Sequence, residues 1–146
     1  DDLAAKAPEN MRYSIYLMQA EFAMQDQDYS RAEQAYATAA KLDADGAMGL
    51  MAALGQAGAL IKLDRPADAV TLLQGLESRA TEDGRATLRM LLGEAAEAAG
   101  KTDVAVAAYE ALAASQPGLD GEFYRSRAEA LGGGKTAPVK DGAENK

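Results

Sequence analysis

Carboxylates are the main side chains of this sequence that could do chemistry. The chain has no histidine and no cysteine, so it lacks the usual general base, the thiol nucleophile and two common metal ligands. Glu21, Glu94 and Glu97 have no acid–base partner or ligand set that their spacing can assign. A glycosidase-type pair of carboxylates would be the remaining route to catalysis. We therefore predict that the protein is not an enzyme and binds no cofactor and no metal.

Two short segments look like binding loops. Gly134–Thr136 has the residues that end a nucleotide-binding P-loop, but Glu129 stands where the motif needs glycine and no strand precedes it. Asp43–Gly46 resembles part of a calcium loop, but Ala47 occupies the position of the next oxygen ligand. We interpret the second segment as a turn and expect no nucleotide site at the first.

Charge and length exclude two further classes of partner. The chain has 15 basic and 23 acidic residues, a net charge of −8, whereas a nucleic-acid-binding surface needs a basic stripe. Gly46–Ile61 carries no charge, but at ~1.5 Å per residue it is too short for a hydrocarbon core of ~30 Å. We expect neither nucleic-acid binding nor direct membrane insertion by this segment.

A repeat organises the chain. Three times an alanine is followed by a large residue four positions on and an apolar residue three further: Ala32/Tyr36/Ala39, Ala69/Leu73/Leu76 and Ala105/Tyr109/Leu112. The leading alanines lie 37 and 36 residues apart. This spacing places each trio on one helix face, which a neighbouring helix must cover. Alanine-rich segments at 10–25, 47–63 and 85–99 supply that neighbour, so the pattern predicts an all-α solenoid. An alanine-rich bundle without solenoid geometry is the alternative.

Residues that start and stop helices agree with this division. Asp28, Asp64 and Thr102 precede the three second helices and are of types that cap helix N-termini. Pro66 suits a first helical turn, where its missing N–H has no cost. Gly100 suits the C-terminal end of the first helix in the third pair.

Residues 86–117 resemble a tetratricopeptide repeat (TPR). The match is carried by Leu92, Gly93, Ala96, Gly100, Ala105, Tyr109, Leu112 and Pro117. The two earlier repeats fit less completely. In the first repeat, Tyr16 and Ala20 replace the usual Trp and Gly. In the second repeat, Ala57 replaces the glycine. The resemblance implies an α-solenoid of about three TPR-like helix pairs plus a C-terminal capping helix.

This resemblance also sets the expected boundaries. Residues 1–131 would form one TPR-like domain, with repeats at about 11–46, 47–84 and 85–119 and a cap at 121–131. The cap would be no longer than three turns. Phe123 would occupy the position where a TPR helix usually has Trp, a residue that this chain lacks. Residues 132–146 contain Gly, Lys and Asp and no apolar run, which predicts a disordered tail.

The first helix of each TPR pair lines a concave groove that commonly holds a peptide. The resemblance therefore implies a partner groove formed by Leu17, Glu21, Met24, Met51, Leu54, Gly58, Ile61, Met90, Glu94 and Glu97. Flexible thioethers with acidic neighbours would suit an apolar or basic-amphipathic protein segment. The Lys/Asn pattern with which chaperone-binding TPRs clamp a C-terminal carboxylate is missing. Packing of the methionines between repeats and self-association are the other interpretations.

The setting of the chain can also be predicted. Leu3–Pro8 reads like Leu112–Pro117, so we expect the chain to begin inside a helix that a longer polypeptide would complete. The alanine-rich repeats resemble those of bacterial inner-membrane proteins whose N-terminal anchor holds a periplasmic TPR domain beside the secretion translocon. This implies a scaffold or chaperone-like adaptor on the periplasmic side. A cytoplasmic location, a homo-oligomeric structural protein and an accessory subunit of a larger complex are the alternatives.

Overall fold

The computed structural model describes residues 3–132, and this part of the chain is built from α-helices joined by short turns. A 3-10 turn at Glu77–Arg79 extends the fifth helix. The helices are α1 Leu3–Lys6, α2 Glu9–Gln25, α3 Tyr29–Leu42, α4 Ala47–Lys62, α5 Pro66–Leu76, α6 Glu82–Ala98, α7 Thr102–Ser115 and α8 Leu119–Gly132. The predicted all-α fold is confirmed. Residues 133–146, which hold the P-loop-like segment and nearly all of the predicted tail, lie outside the described residues.

Each helix packs against the next one along the chain, from α2 through to α8. Short turns make such neighbours antiparallel. In addition, α4 packs directly on α6, two helices further on. This contact brings α4 and α6 together, as on the inner side of a curved solenoid. We call the side formed by α2, α4, α6 and α8 the inner face.

The connections from α2, α4 and α6 to the following helix repeat one conformation. Gln27, Asp64 and Gly100 have positive φ angles of 61°, 58° and 68°. The N–H of the residue after each donates to a carbonyl five positions earlier, as Lys101 N does to Ala96 O at 2.8 Å. This is the hydrogen-bond pattern of a Schellman helix end. The motif recurs with the same period of 36–37 residues as the alanines, so the repeat extends to the backbone.

The predicted helix starts are partly right. The Asp28 side chain accepts a hydrogen bond from Arg31 N at 3.1 Å, and Pro66 occupies the first turn of α5. Asp64 and Thr102 do not cap their helices, and this prediction is wrong. Asp64 adopts the left-handed conformation one residue too early, and Thr102 is already helical.

Alanine dominates the core. The largest fully buried side chains are few, namely Leu73, Leu88, Leu112 and Val70, and many of the other completely buried residues are alanines. One cluster joins α4 through α8, while a small cluster of Ala23, Ala32 and Ala59 connects the first helix pair to α4. Small side chains let helix axes approach closely, but they bury little apolar area per residue. Buried leucines occur in α4 to α7, most of them in α4, α5 and α6, whereas the buried residues of α2 and α3 are alanines.

The last helix differs from the predicted cap. It begins at Leu119 and ends at Gly132, fourteen residues in all, so it is longer than three turns and includes the first residue of the predicted tail. Gly118 has a φ of 82°, and its carbonyl accepts from Glu122 N at 3.1 Å. The turn residue therefore starts α8 two positions earlier than expected.

Candidate partner-binding cleft

A cleft of about 780 Å³ opens on the inner face between α6 and α8. Its base is formed by α7, which lies between those two helices in the chain and packs against both. The cleft is lined by Met90, Glu94, Glu97, Ala98, Tyr109, Phe123, Tyr124 and Arg127. Its size falls within the range of about 300–1,000 Å³ that is usual for binding pockets. Three of the predicted groove residues, Met90, Glu94 and Glu97, therefore lie together in one concave site.

Aromatic rings form one wall of the cleft. The rings of Tyr109 and Tyr124 stack with their centroids 6.1 Å apart and an angle of 14° between their planes. Phe123 meets Tyr124 edge-on at 5.3 Å and remains 65% exposed. The sequence puts Phe123 at the position of the missing Trp, but Tyr124 is the residue that packs on the preceding helix. Phe123 is left free to contact a ligand.

An ion pair joins the two sides of the cleft. The Arg127 guanidinium on α8 donates from Nε to Glu97 Oε2 at 3.1 Å and from Nη2 to Glu97 Oε1. The Tyr109 hydroxyl also donates to Glu97 Oε2, at 3.3 Å. Glu97, on α6, thus accepts hydrogen bonds from α7 and from α8.

The electrostatics of the cleft are negative. Burial raises the pKa of the Tyr109 hydroxyl to about 12, and the charge and hydrogen bond of Glu97 add to the increase, with a smaller contribution from the charge of Glu94. The hydrogen bond and charge of Glu97 raise the pKa of Arg127 above its ordinary value. Glu97 contributes to both shifts, because a carboxylate disfavours a new negative charge and favours a positive one. The cleft favours cations.

The predicted groove residues of α4 lie on the same face but outside this cleft. Met51 is 64% exposed, and open space surrounds the position where a side chain on Gly58 would begin. Ile61 is half-buried and packs against the core. Leu54 is only 8% exposed and belongs to the core, so it is not offered to a partner as predicted. Met90, at the equivalent position one repeat later, is half-buried and lines the cleft.

The predicted groove residues of α2 are the most distant from the cleft along the chain. Leu17 is half-buried and Glu21 is exposed. Met24 packs against the small alanine cluster, so it contributes to the core. The structure therefore divides the predicted groove into a cleft at α6 and α8 and a separate surface along α2 and α4.

Sequence reasoning missed Tyr124 and Arg127 as site residues. Both lie within the predicted C-terminal cap at 121–131, to which the sequence analysis gives no part in the partner groove. A signal was nevertheless present: Tyr124, Ala128 and Leu131 are spaced as one helix face, and this face packs on the core. Arg127 lies next to that face and can therefore reach α6.

An apolar stripe on α2 also stays exposed. Met11, Met18 and Phe22 are 53%, 49% and 58% exposed, and their spacing of seven and four residues places them on one side of the helix. The buried residues of α2, Ala20 and Ala23, lie on another side. The stripe therefore faces away from α3 and α4.

Within residues 3–132, no three acidic side chains come together in a way that could hold a metal ion. None of the helices there combines the length and the hydropathy needed to cross a bilayer.

The chain resembles a solved TPR structure. No protein-family model and no curated protein sequence matches it. Its structure is similar to the TPR domain of OM64 from Arabidopsis, with a TM-score of 0.69 and 14% sequence identity. The similarity covers 84% of this chain and 98% of that domain. Likeness at this identity shows the fold, and the predicted TPR-like α-solenoid is confirmed. The resemblance to periplasmic proteins of the bacterial translocon stays a prediction.

Proposed function

We propose that this protein is a non-catalytic interaction module that binds a segment of a partner protein on its inner face. The observation that carries the proposal is the open cleft between α6 and α8, with half-buried Met90 in its lining and exposed Phe123 at its wall. Solenoids of helix pairs use such concave surfaces to hold extended or helical peptides. The fold supports this general role, since TPR-type solenoids present surfaces for other proteins.

The chemistry of the cleft favours an apolar or basic-amphipathic segment. Met90, Tyr109 and Tyr124 offer apolar and aromatic surface, and the methionine can adapt its shape to different ligands. Glu94 and Glu97 set the charge. Arg127 is the one cation among the residues that line the cleft, and Glu97 already engages it. An acidic segment or a free C-terminal carboxylate would find no unpaired cation there.

Site-directed photo-crosslinking tests the binding face. A photoreactive residue would replace Met90 or Met51 on the inner face, and Glu110, exposed on α7 outside the cleft, would serve as the control position. We expect the two inner positions to capture the same partner proteins and Glu110 to capture none of them. Equal capture from Glu110 would contradict an inner-face site.

A steric block gives a second, independent test. Gly58 on α4 precedes Glu94 on α6 by 36 residues, one repeat, so both occupy equivalent positions of the inner face. Gly58 and Gly75 both have open space where a side chain would begin, so a larger residue can be introduced at either site without a clash at its Cβ atom. We expect Gly58→Trp to abolish the crosslinks from Met90 and Met51, and Gly75→Trp, on α5, to leave them unchanged. Crosslinks that survive Gly58→Trp would place the partner elsewhere.

The exposed stripe on α2 favours a second candidate, a homo-oligomer. Met11, Met18 and Phe22 form an apolar surface of the kind that protein interfaces cover. Light scattering across a range of concentrations tests this candidate. A dimer that Phe22→Glu converts to a monomer would support it, and a monomer at all concentrations would exclude it.

For the cellular setting, we propose that the protein is a scaffold or adaptor at the periplasmic side of a bacterial inner membrane. An N-terminal anchor would hold it there. It rests on the sequence resemblance described above, with a cytoplasmic protein and an accessory subunit of a larger complex as the rival settings. Fractionation of cells that express the full-length product distinguishes the compartments. Copurification at fixed stoichiometry with one complex would identify an accessory subunit.

A further inference from the structure

The cleft contains one guanidinium group from the chain itself, that of Arg127. The guanidinium of Arg127 makes two hydrogen bonds to the Glu97 carboxylate, beside the hydroxyl of Tyr109. A planar guanidinium suits a carboxylate because two parallel N–H groups meet two oxygens. The surroundings of Glu97 therefore show that this part of the inner face can hold an arginine side chain.

A second carboxylate in the cleft, that of Glu94, forms no ion pair with a cation of the described residues. Glu94 lies one turn before Glu97 on α6 and lines the same cleft. It is exposed, and the ion pairs within residues 3–132 do not involve it. Phe123, on α8, lines the same cleft and is 65% exposed, whereas Tyr109 is buried. A carboxylate and an aromatic ring thus face one cavity without a ligand from the chain itself.

We propose that the cleft binds an arginine side chain of the partner segment, with Glu94 as its carboxylate and Phe123 as its aromatic contact. The inference rests on the proposed function, because it names the side chain that the inner-face site selects. An apolar residue beside that arginine would lie against Met90, which is half-buried at the same cleft.

Arginine fits this site better than lysine for physical reasons. Its guanidinium can pair with a carboxylate through two donors and stack on a ring at the same time, whereas an ammonium is a strongly hydrated point charge. The net charge of −8 attracts any basic segment over a longer range. Long-range attraction does not distinguish the two residues, so the preference must come from contacts in the cleft.

Selection from a random-peptide phage library tests the inference and does not require the natural partner to be identified. The probe is the library itself, panned on the whole chain and on two variants, Glu94→Gln and Glu110→Gln. Both glutamates are exposed, and neither side chain makes a described hydrogen bond or ion pair, so both variants should fold. The two variants change the net charge equally, which makes Glu110→Gln the matched control.

We expect the chain and Glu110→Gln to enrich peptides with an arginine next to an apolar residue, and Glu94→Gln to lose that preference. For one enriched peptide, arginine replaced by lysine or glutamine should weaken binding by about tenfold or more. With Glu94→Gln the differences in affinity among the three peptides should become clearly smaller, and Phe123→Ala should reduce the preference for arginine over lysine.

Three results would overturn the inference, and they differ in what they say of the proposed function. In the first, the chain enriches apolar peptides that lack arginine, and Gly58→Trp abolishes their binding. This result would support the inner-face site and contradict the preference for arginine. Arginine peptides that bind Glu94→Gln as well as the control would reject the assigned carboxylate only. No enrichment on the folded chain, together with no crosslinks from Met90, would reject both the inference and the proposed function.

Discussion

The ring of Tyr109 lies directly over Gly93, in the space that a side chain at that glycine would fill. A Cβ atom built on Gly93 would stand 2.5 Å from Cε1 and 2.7 Å from Cζ of the tyrosine. The missing side chain lets α6 and α7 approach until the Tyr109 hydroxyl reaches Glu97. One glycine therefore determines both the packing of the third helix pair and the base of the cleft.

Replacement of Gly93 by alanine should destabilise the protein. The new Cβ would overlap the Tyr109 ring, and overpacking of this kind costs about 1–3 kcal/mol. This cost should exceed the gain in helix propensity, which is at most about 1 kcal/mol. Chemical denaturation with circular dichroism would measure the free energy of unfolding. An unchanged or increased value would mean that Tyr109 does not pack on this glycine.

Two other glycines should respond in the opposite direction. Gly58 and Gly75 lie inside helices, and no atom comes within 4 Å of a Cβ built on either. Alanine there removes backbone freedom from the unfolded chain without a clash, which should stabilise the protein by about 0.5–1 kcal/mol at each site. The same denaturation assay would report it. A loss of stability at Gly75 would show that α5 packs differently on that side.

Titration of Tyr109 should make stability depend on alkaline pH. Its pKa is raised from about 10 to about 12, chiefly by burial and then by Glu97. The folded state thus favours the protonated hydroxyl, so this contribution is fully present below pH 10 and is lost as the pH rises through about 12. The difference in tyrosinate absorbance between the chain and Tyr109→Phe should titrate near pH 12.

A control separates the two causes of this shift. Glu97→Gln removes the charge but leaves the ring buried, so the Tyr109 transition should move down and yet stay above the ordinary value for tyrosine. A difference spectrum that titrates at the ordinary value in the unchanged protein would show that Tyr109 is not buried in solution.

The left-handed residues at the helix ends offer a further prediction. Gly100 adopts its positive φ without strain, but Gln27 occupies the equivalent position of the first repeat with a φ of 61°. A side chain in that conformation costs about 1–2 kcal/mol, and glycine loses about 0.5–1 kcal/mol in unfolded-state entropy. Gln27→Gly should therefore raise the free energy of unfolding by up to about 1.5 kcal/mol. A clear loss of stability would mean that the Gln27 side chain makes a contact that compensates for the strain.

The repeat period made the fold predictable, while the site was only partly predictable. Ala32, Ala69 and Ala105 are all completely buried, as a shared helix face requires. The same period places Leu54 and Met90 at equivalent positions, yet one is buried and the other lines a cleft. A local pattern cannot show which neighbour covers a position, because that depends on how successive helix pairs pack.

The two ends of the solenoid should differ in local stability. The buried residues of α2 and α3 are all alanines, namely Ala20, Ala23, Ala32, Ala35 and Ala39. The later helices bury leucine and tyrosine, such as Leu88, Tyr109 and Leu112. Apolar area buried per residue is therefore smaller in the first pair, and a solenoid can open from one end because each pair contacts only its neighbours.

Native-state hydrogen exchange should resolve this difference. Amides of α2 and α3 should exchange through a local opening whose free energy is at least about 1 kcal/mol below that of α6 and α7. Leu112→Ala changes the more stable part of the chain. It should lower the opening free energy of α6 and α7 more than that of α2, because α2 and α3 open locally while α6 and α7 stay folded. Identical exchange free energies for all helices would contradict this, since they would show that the small alanine cluster couples the first pair fully to the rest.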